Sequence, residues 1–276
     1  MIIQDLPFDE YLKREGVSHS MLKNLHPTAF HLQLYLRNPP ESTPAQRLGT
    51  LAHSLILEPD KELPKLAIQP AKYDSVEGAK DWNNNSKFCR RWVEAQKSNG
   101  YDVVKTHEYE AIHGMANSVA NFKPSRELLE EGEPEVSLFE PYPASSPIVI
   151  GKCRFDWVPP GNTIPDIKTC TDASENEFRW TILNNRYHSQ GAWYLDLWNA
   201  DPSRERKDCY VIIAVEKKPP YLCACYLLDD AMIEVGRQLN ARDVMIYHQC
   251  LRSGEWPSYP QEYVRMMLPE KYRTKL

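Results

Sequence analysis

Apolar positions recur every three to four residues along much of the first half of the chain. Leu48, Leu51 and Leu55, with Ala52, form one such stripe between Thr43 and Glu58. Ile112, Met115, Val119 and Phe122 form another within His107–Phe122. Both spacings predict amphipathic helices. Pro59 should close the first of them, and Gly49 should permit a close backbone approach. Short helices are expected over Met21–Leu25, capped by Ser18 or Ser20, and over Ala29–Leu36. Lys80–Gln96 reads as a further helix, carrying Trp82, Phe88 and Trp92 beside Lys87, Arg90 and Arg91. That row is either a phosphate-facing edge or solvated charge. The remainder of 60–131 reads as polar helices and loops.

The pattern changes after Glu131-Gly132-Glu133-Pro134. Glu135–Phe139 opens a sheet, and two β-branched and aromatic runs, 149–158 and 163–170, flank Pro159-Pro160-Gly161-Asn162 as a hairpin would. A long helix capped by Asp172 or Ser174 should run to about Asn199. Asp208–Glu216 and Tyr221–Leu228 are strands around Pro219-Pro220. Asp229 or Asp230 caps a last helix that ends near Leu251, with Gly254 just beyond. Trp256–Pro260 should pack over the core. The order of elements is that of an α/β layer architecture. It predicts one structural domain, with a helical part (1–131) packed on a sheet-bearing core (132–276).

Composition adds bounds. The 276 residues are 42% hydrophobic and 26% charged, ordinary globular usage that can bury a real core. No apolar run is long enough to span a membrane, and the first residues show no secretory signal. Seven scattered cysteines, none in a C-x-x-C pair, suit a reduced cytosolic chain. A net charge of −5 gives no whole-chain support for nucleic-acid binding, although positive charge can still be concentrated in a channel.

The residues with most chemical content lie on the two central runs. Asp166 and Lys168 are two apart, so in a strand both leave the same face. Asp156 is brought near them by the turn. Converging carboxylates require a cation, for which Mg²⁺ held by carboxylates and a substrate phosphate is a common solution. A neighbouring lysine can orient water and offset phosphoryl-transfer charge. An Asp-x-Lys on a strand can equally be a surface ion pair. His53 borders the buried face of its helix, as a hydrogen-bonded core residue or as an additional ligand. Glu135 is a further acidic candidate or an exposed strand-end charge. Tyr187, Gln190 and Tyr194 share a helix face that can hold water or phosphate, or serve as a packed polar edge.

Taken as an ordered set, several segments resemble the RecE-type (exonuclease VIII) branch of the PD-(D/E)xK nucleases of phages and prophages. They are Val17–Leu22, Leu48–Pro59, Glu135–Ser137, Lys152–Asp156, Asp166–Ala173, Tyr187–Tyr194 and Val215–Tyr221. The resemblance implies a mixed central sheet flanked by helices, with a helical N-terminal extension. It implies hydrolysis of linear double-stranded DNA from the 5′ end with Mg²⁺, or Mn²⁺ in its place. A 3′ tail would be left for a strand-annealing partner of the RecT kind. Carried over by position, His53, Asp156, Asp166 and the Ile167 carbonyl are metal ligands, Lys168 activates water, and Gln190 positions them. Glu135 is a weaker active-site candidate. By looser analogy, Arg47 and Ser18 or Ser20 contact a terminal phosphate. Arg154-Phe155-Asp156 departs from an expected Arg-Pro-Asp. A homo-oligomer is also implied. An endonuclease of the same fold and a non-cleaving DNA- or recombination-protein-binding module are the competing readings.

Overall fold

The structure is a computed structural model that describes residues 1–58, 65–75, 78–143 and 148–268. Pro59 lies outside the described residues. The N-terminal part contains β1 (Ile2–Ile3), α1 (Phe8–Lys13), β2 (Val17–Ser18), α2 (His19–Leu22), a 3-10 turn, α3 (Ala29–Arg37) and α4 (Pro44–Leu57). Next come β3 (Lys65–Ile68), β4 (Lys72–Ser75), β5 (Gly78–Asp81), α5 (Lys87–Ser98), β6 (Tyr101–Val104), α6 (Thr106–Asn121) and α7 (Lys123–Leu128). The core follows with β7 (Glu133–Pro141), β8 (Ile150–Val158), β9 (Thr163–Cys170), α8 (Glu175–Asn184), α9 (Tyr187–Trp198), β10 (Cys209–Glu216), β11 (Cys223–Leu227) and α10 (Asp230–Ser253).

This is an α/β fold with mixed strand directions and flanking helices. β1, β7, β8 and β2 form one ladder, and β11, β10 and β9 another. β9 and β10 run parallel, joined by a crossover through α8 and α9, while β11 returns antiparallel. Trp193 of α9 is fully buried under the first ladder, stacked on Tyr142 with ring centroids 4.1 Å apart. Gly191 makes close packing of this helix possible, since a Cβ there would lie 2.7 Å from the Tyr210 ring. Trp256 packs against the same core, as the tail pattern suggested, and the Pro257 carbonyl accepts from Phe30 N.

Four local expectations change. β8 and β9 follow each other around the 159–162 turn but share no ladder; the Asp156 carboxylate, instead of a main-chain carbonyl, accepts from Ile167 N at 2.7 Å. The long helix after Asp172 is two helices, broken where Arg186 takes φ 60°. The first half of Lys80–Gln96 is not helical, because Gly78–Asp81 pairs with β4 and α5 starts at Lys87. At Gly49 a Cβ would meet only Thr169 Oγ1 at 3.5 Å, an ordinary contact, so no close approach depends on it.

Candidate active site

β8 alternates as a half-buried strand should: Cys153 and Phe155 enter the core, and Arg154 and Asp156 leave on the opposite face. β9 is the edge of its ladder, paired with β10, and it presents Asp166 and Lys168 on the face where Asp156 arrives. Asp166 is only 1% exposed. Its Oδ1 accepts from Gln190 Nε2 at 2.9 Å, and its Oδ2 stands 2.5 Å from Lys168 Nζ. That Oδ2 is buried and, despite the ion pair, takes part in no hydrogen bond of good geometry. Lys168 Nζ lies 5.1 Å from the centre of the Tyr187 ring, which covers it. His53, projecting from α4, brings Nδ1 to 3.7 Å from Asp156 Oδ2. Asp156, Asp166, Lys168, Gln190 and His53 are therefore gathered at one point.

Glu135 joins them from the side. The ladder pairs Pro134 with Trp157 and Val136 with Phe155, so Glu135 falls opposite Asp156. It takes φ 53°, and its carboxylate accepts from Arg154 Nε. Arg154 also donates to the Leu6 carbonyl and to Ser137 Oγ. This guanidinium is the neutralising partner that the sequence reading did not single out, although β8 alternation places it beside Asp156.

Electrostatics follow from burial and crowding. Burial and then the Asp166 charge push the Asp156 carboxyl up to about 7. Glu135 is raised for the same two reasons, burial and the Asp156 charge, with Arg154 opposing. His53 is lowered by burial and then by Lys168, which keeps its imidazole neutral and able to act as a ligand. Burial disfavours the charge on Lys168, but Asp166 and Asp156 outweigh it, and its pKa lies above the ordinary value.

Among the described residues no three His, Cys, Asp or Glu side chains form a ready-made metal cage. What is present suits a hard cation that keeps part of its own shell: two carboxylates, one with an oxygen lacking a good hydrogen bond, and a neutral imidazole.

Two clefts of about 360 Å³ each meet at Thr50 and His53. One is lined further by Ser54, Glu135, Arg154 and Asp156, the other by Gln46, Lys168, Tyr187 and Lys217. Gln46, Thr50 and His53 form one polar face of α4 at i, i+4 and i+7, so His53 stands opposite the apolar stripe instead of bordering it. A hollow of about 80 Å³ adjoins Gln190 and Tyr187 and contains Ser18 and Ser20, whose hydroxyls are 3.0 Å apart. Ser18 also caps α2 by accepting from Met21 N. Tyr194 lines both this hollow and the first cleft, with its hydroxyl donating to the Arg154 carbonyl at 3.0 Å. Arg47 points its guanidinium at Asp102 and the Val103 carbonyl, both at 2.9 Å.

A family model described as "PDDEXK-like domain of unknown function" (DUF3799) matches residues 18–266. A solved structure from Eubacterium rectale, described as a "putative exonuclease", superposes with a TM-score of 0.59. It is 14% identical and covers 99% of this chain and 98% of its own, a likeness of fold. The crystal structure of SSO0001 overlaps less, with a TM-score of 0.31, 16% identity and coverage of 57% and 69%. No curated protein matches the sequence.

Proposed function

The chain belongs to the DUF3799 family of PDDEXK-like domains, and from that membership we propose that it is a metal-dependent nuclease acting on DNA. The observation that carries this reading is the buried Asp166. Its two oxygens are divided between Gln190 and Lys168, and Asp156 and His53 are drawn up beside it.

In this reading Asp156, Asp166, the Ile167 carbonyl and His53 would hold Mg²⁺, with Mn²⁺ able to replace it. The ion supplies Lewis-acid polarisation of a phosphoryl oxygen. Gln190 fixes the rotation of the Asp166 carboxylate by its 2.9 Å hydrogen bond. Lys168, held protonated by its acidic neighbours, donates hydrogen bonds to the attacking water and offsets charge as the phosphodiester breaks. A cationic lysine is an orienting and neutralising group and not a proton acceptor. Arg154 compensates the Glu135 carboxylate, which would otherwise add to the crowding at Asp156.

We take the substrate to be linear double-stranded DNA degraded 5′→3′, leaving a 3′ tail for an annealing protein of the RecT kind, by a chain that assembles as a homo-oligomer. The ordered set of RecE-like segments supports this, and a neighbour of the same fold is described as a putative exonuclease. The hollow at Ser18 and Ser20 is offered as the seat of the terminal phosphate. Linear duplex labelled at either end and incubated with Mg²⁺ tests the reading. The 5′ label should be released first, and a covalently closed circle should survive. Linearisation of the circle would turn the assignment to an endonuclease.

A further inference from the structure

Residues 65–105 build a small layer of their own beside α4 and α6. β3 pairs in parallel with β6, β4 pairs with β5, and α5 packs on β6. Four aromatic side chains stand on it, outside every buried core cluster of the described residues. Tyr73 and Phe88 are stacked with centroids 5.4 Å apart, and Trp82 meets Trp92 edge-on, also at 5.4 Å. Phe88 is nonetheless 51% exposed. A pair serving only to fasten β4 to α5 would cover both rings. The Trp82 N–H is occupied by Asn84 Oδ1, so what the indole offers outward is its π-face.

The same layer concentrates cations. Residues 65–105 contain eight Lys and Arg against five Asp and Glu, in a chain whose net charge is −5. Lys72, Lys87, Arg90 and Arg91 are exposed, and none of them enters an ion pair among the described residues. On α5, Lys87 and Arg91 are one turn apart and flank the Phe88–Trp92 row. This is the sequence feature left undecided between a phosphate-facing edge and solvated charge.

We propose that this layer is a binding surface for single-stranded DNA. Two aromatic pairs that still offer open ring surface, flanked by cations outside any ion pair of the described residues, match a strand that offers alternating base faces and phosphates. Phe88 and Trp92 are separated by four helical residues, about 6 Å along the axis. In a duplex the base faces are stacked on one another and closed to such platforms, so a base on each of them requires an unpaired strand. The proposal takes from the nuclease reading only that DNA is the polymer handled.

The test is fluorescence anisotropy of the full chain in EDTA, where cleavage plays no part, with a labelled oligothymidylate and with a duplex of equal length. Phe88→Ala should weaken single-strand binding about 5- to 150-fold, the range for loss of one stacked base. Arg90→Gln combined with Arg91→Gln, two exposed changes that should leave the circular dichroism spectrum intact, should weaken it while lowering the salt slope by about 1.4. Tryptophan fluorescence should be quenched by the single strand in the wild-type chain. The proposal is overturned if neither variant changes single-strand affinity, or if duplex affinity falls as much. A chain that binds in this way without cleaving would separate this surface from the nuclease assignment.

Discussion

The centre on β8 and β9 and the layer on β3–β6 are both rich in charge, and they hold it in opposite ways. In the centre the ion pairs are fixed in a largely enclosed setting: Asp166 has Lys168 and Glu135 has Arg154, while the crowded Asp156 carboxyl is pushed up to about 7. On the layer, Lys87, Arg90 and Arg91 face solvent beside half-covered rings. Fixed charge can act on a transition state because it needs no reorganisation when the reaction occurs. Mobile exposed charge is suited to capturing a polymer, and salt screens it readily.

The comparison is most severely tested at Asp166. Asp166→Asn keeps the size and an acceptor for Gln190 while removing the charge. Cleavage of labelled duplex should fall by on the order of 10³-fold or more, as when a principal electrostatic group is removed. The circular dichroism spectrum should stay that of a folded chain, although loss of one partner of this enclosed pair should lower the melting temperature. Lys168→Met should do the same. Retained turnover in both would remove the assignment of this centre, and the single-strand affinity of the layer should be unaffected in either.

A second effect concerns stability. A carboxyl raised to about 7 in the folded chain binds its proton more tightly there than in the unfolded chain. Its stabilising contribution is complete below the ordinary carboxylate range and is lost as pH rises through about 7. Asp156→Asn should therefore stabilise the metal-free protein at about pH 8 by on the order of a few kcal/mol, and hardly at all at about pH 4. Thermal melts in EDTA across that range would measure it, and added Mg²⁺ should narrow the gap by stabilising only the wild type. A gap that does not grow with pH would mean that Asp156 is not crowded by Asp166.

Gln190→Ala comes next. It leaves every proposed ligand in place and frees the Asp166 carboxylate to rotate, so about 10- to 100-fold should be lost in metal affinity or rate. Titration of Mn²⁺ should show the midpoint moved, a readout that simple loosening of α9 would not shift.

Much of the centre was legible because it depends on short-range rules. Two residues on alternate strand positions share a face, and an apolar run on each side of 159–162 brings Asp156 within reach of β9. Hydrogen-bond geometry was not legible: nothing in the sequence says that the Asp156 carboxylate replaces a ladder carbonyl. The break between α8 and α9 was missed because Asn184-Asn185-Arg186 contains neither Pro nor Gly, and Arg186 is a residue type that rarely takes positive φ. The strands β3–β6 were missed for a different reason. Lys72–Ser75 and Gly78–Asp81 are four residues each, polar and largely exposed, so no alternation of apolar side chains marks them. The solvent-facing layer thus has the weakest sequence signal, since no core dictates its pattern.

Arg47 offers the smallest effect and the finest test of the same contrast. It extends from the helix that brings His53 to the centre, yet its guanidinium joins the layer through Asp102 and the Val103 carbonyl. Both partners of the ion pair are about two-fifths exposed, at 41% and 43%. An exposed pair of this kind contributes about 1 kcal/mol or less, so Arg47→Ala should lower the melting temperature by no more than a few degrees. If the guanidinium only ties α4 to β6, duplexes with 5′-phosphoryl and 5′-hydroxyl ends should be cleaved by the variant in the same ratio as by wild type, which is the outcome expected from its present contacts. A loss confined to phosphorylated ends would instead show that Arg47 leaves Asp102 for the terminal phosphate when DNA enters, and that the line between fixed and mobile charge runs through α4.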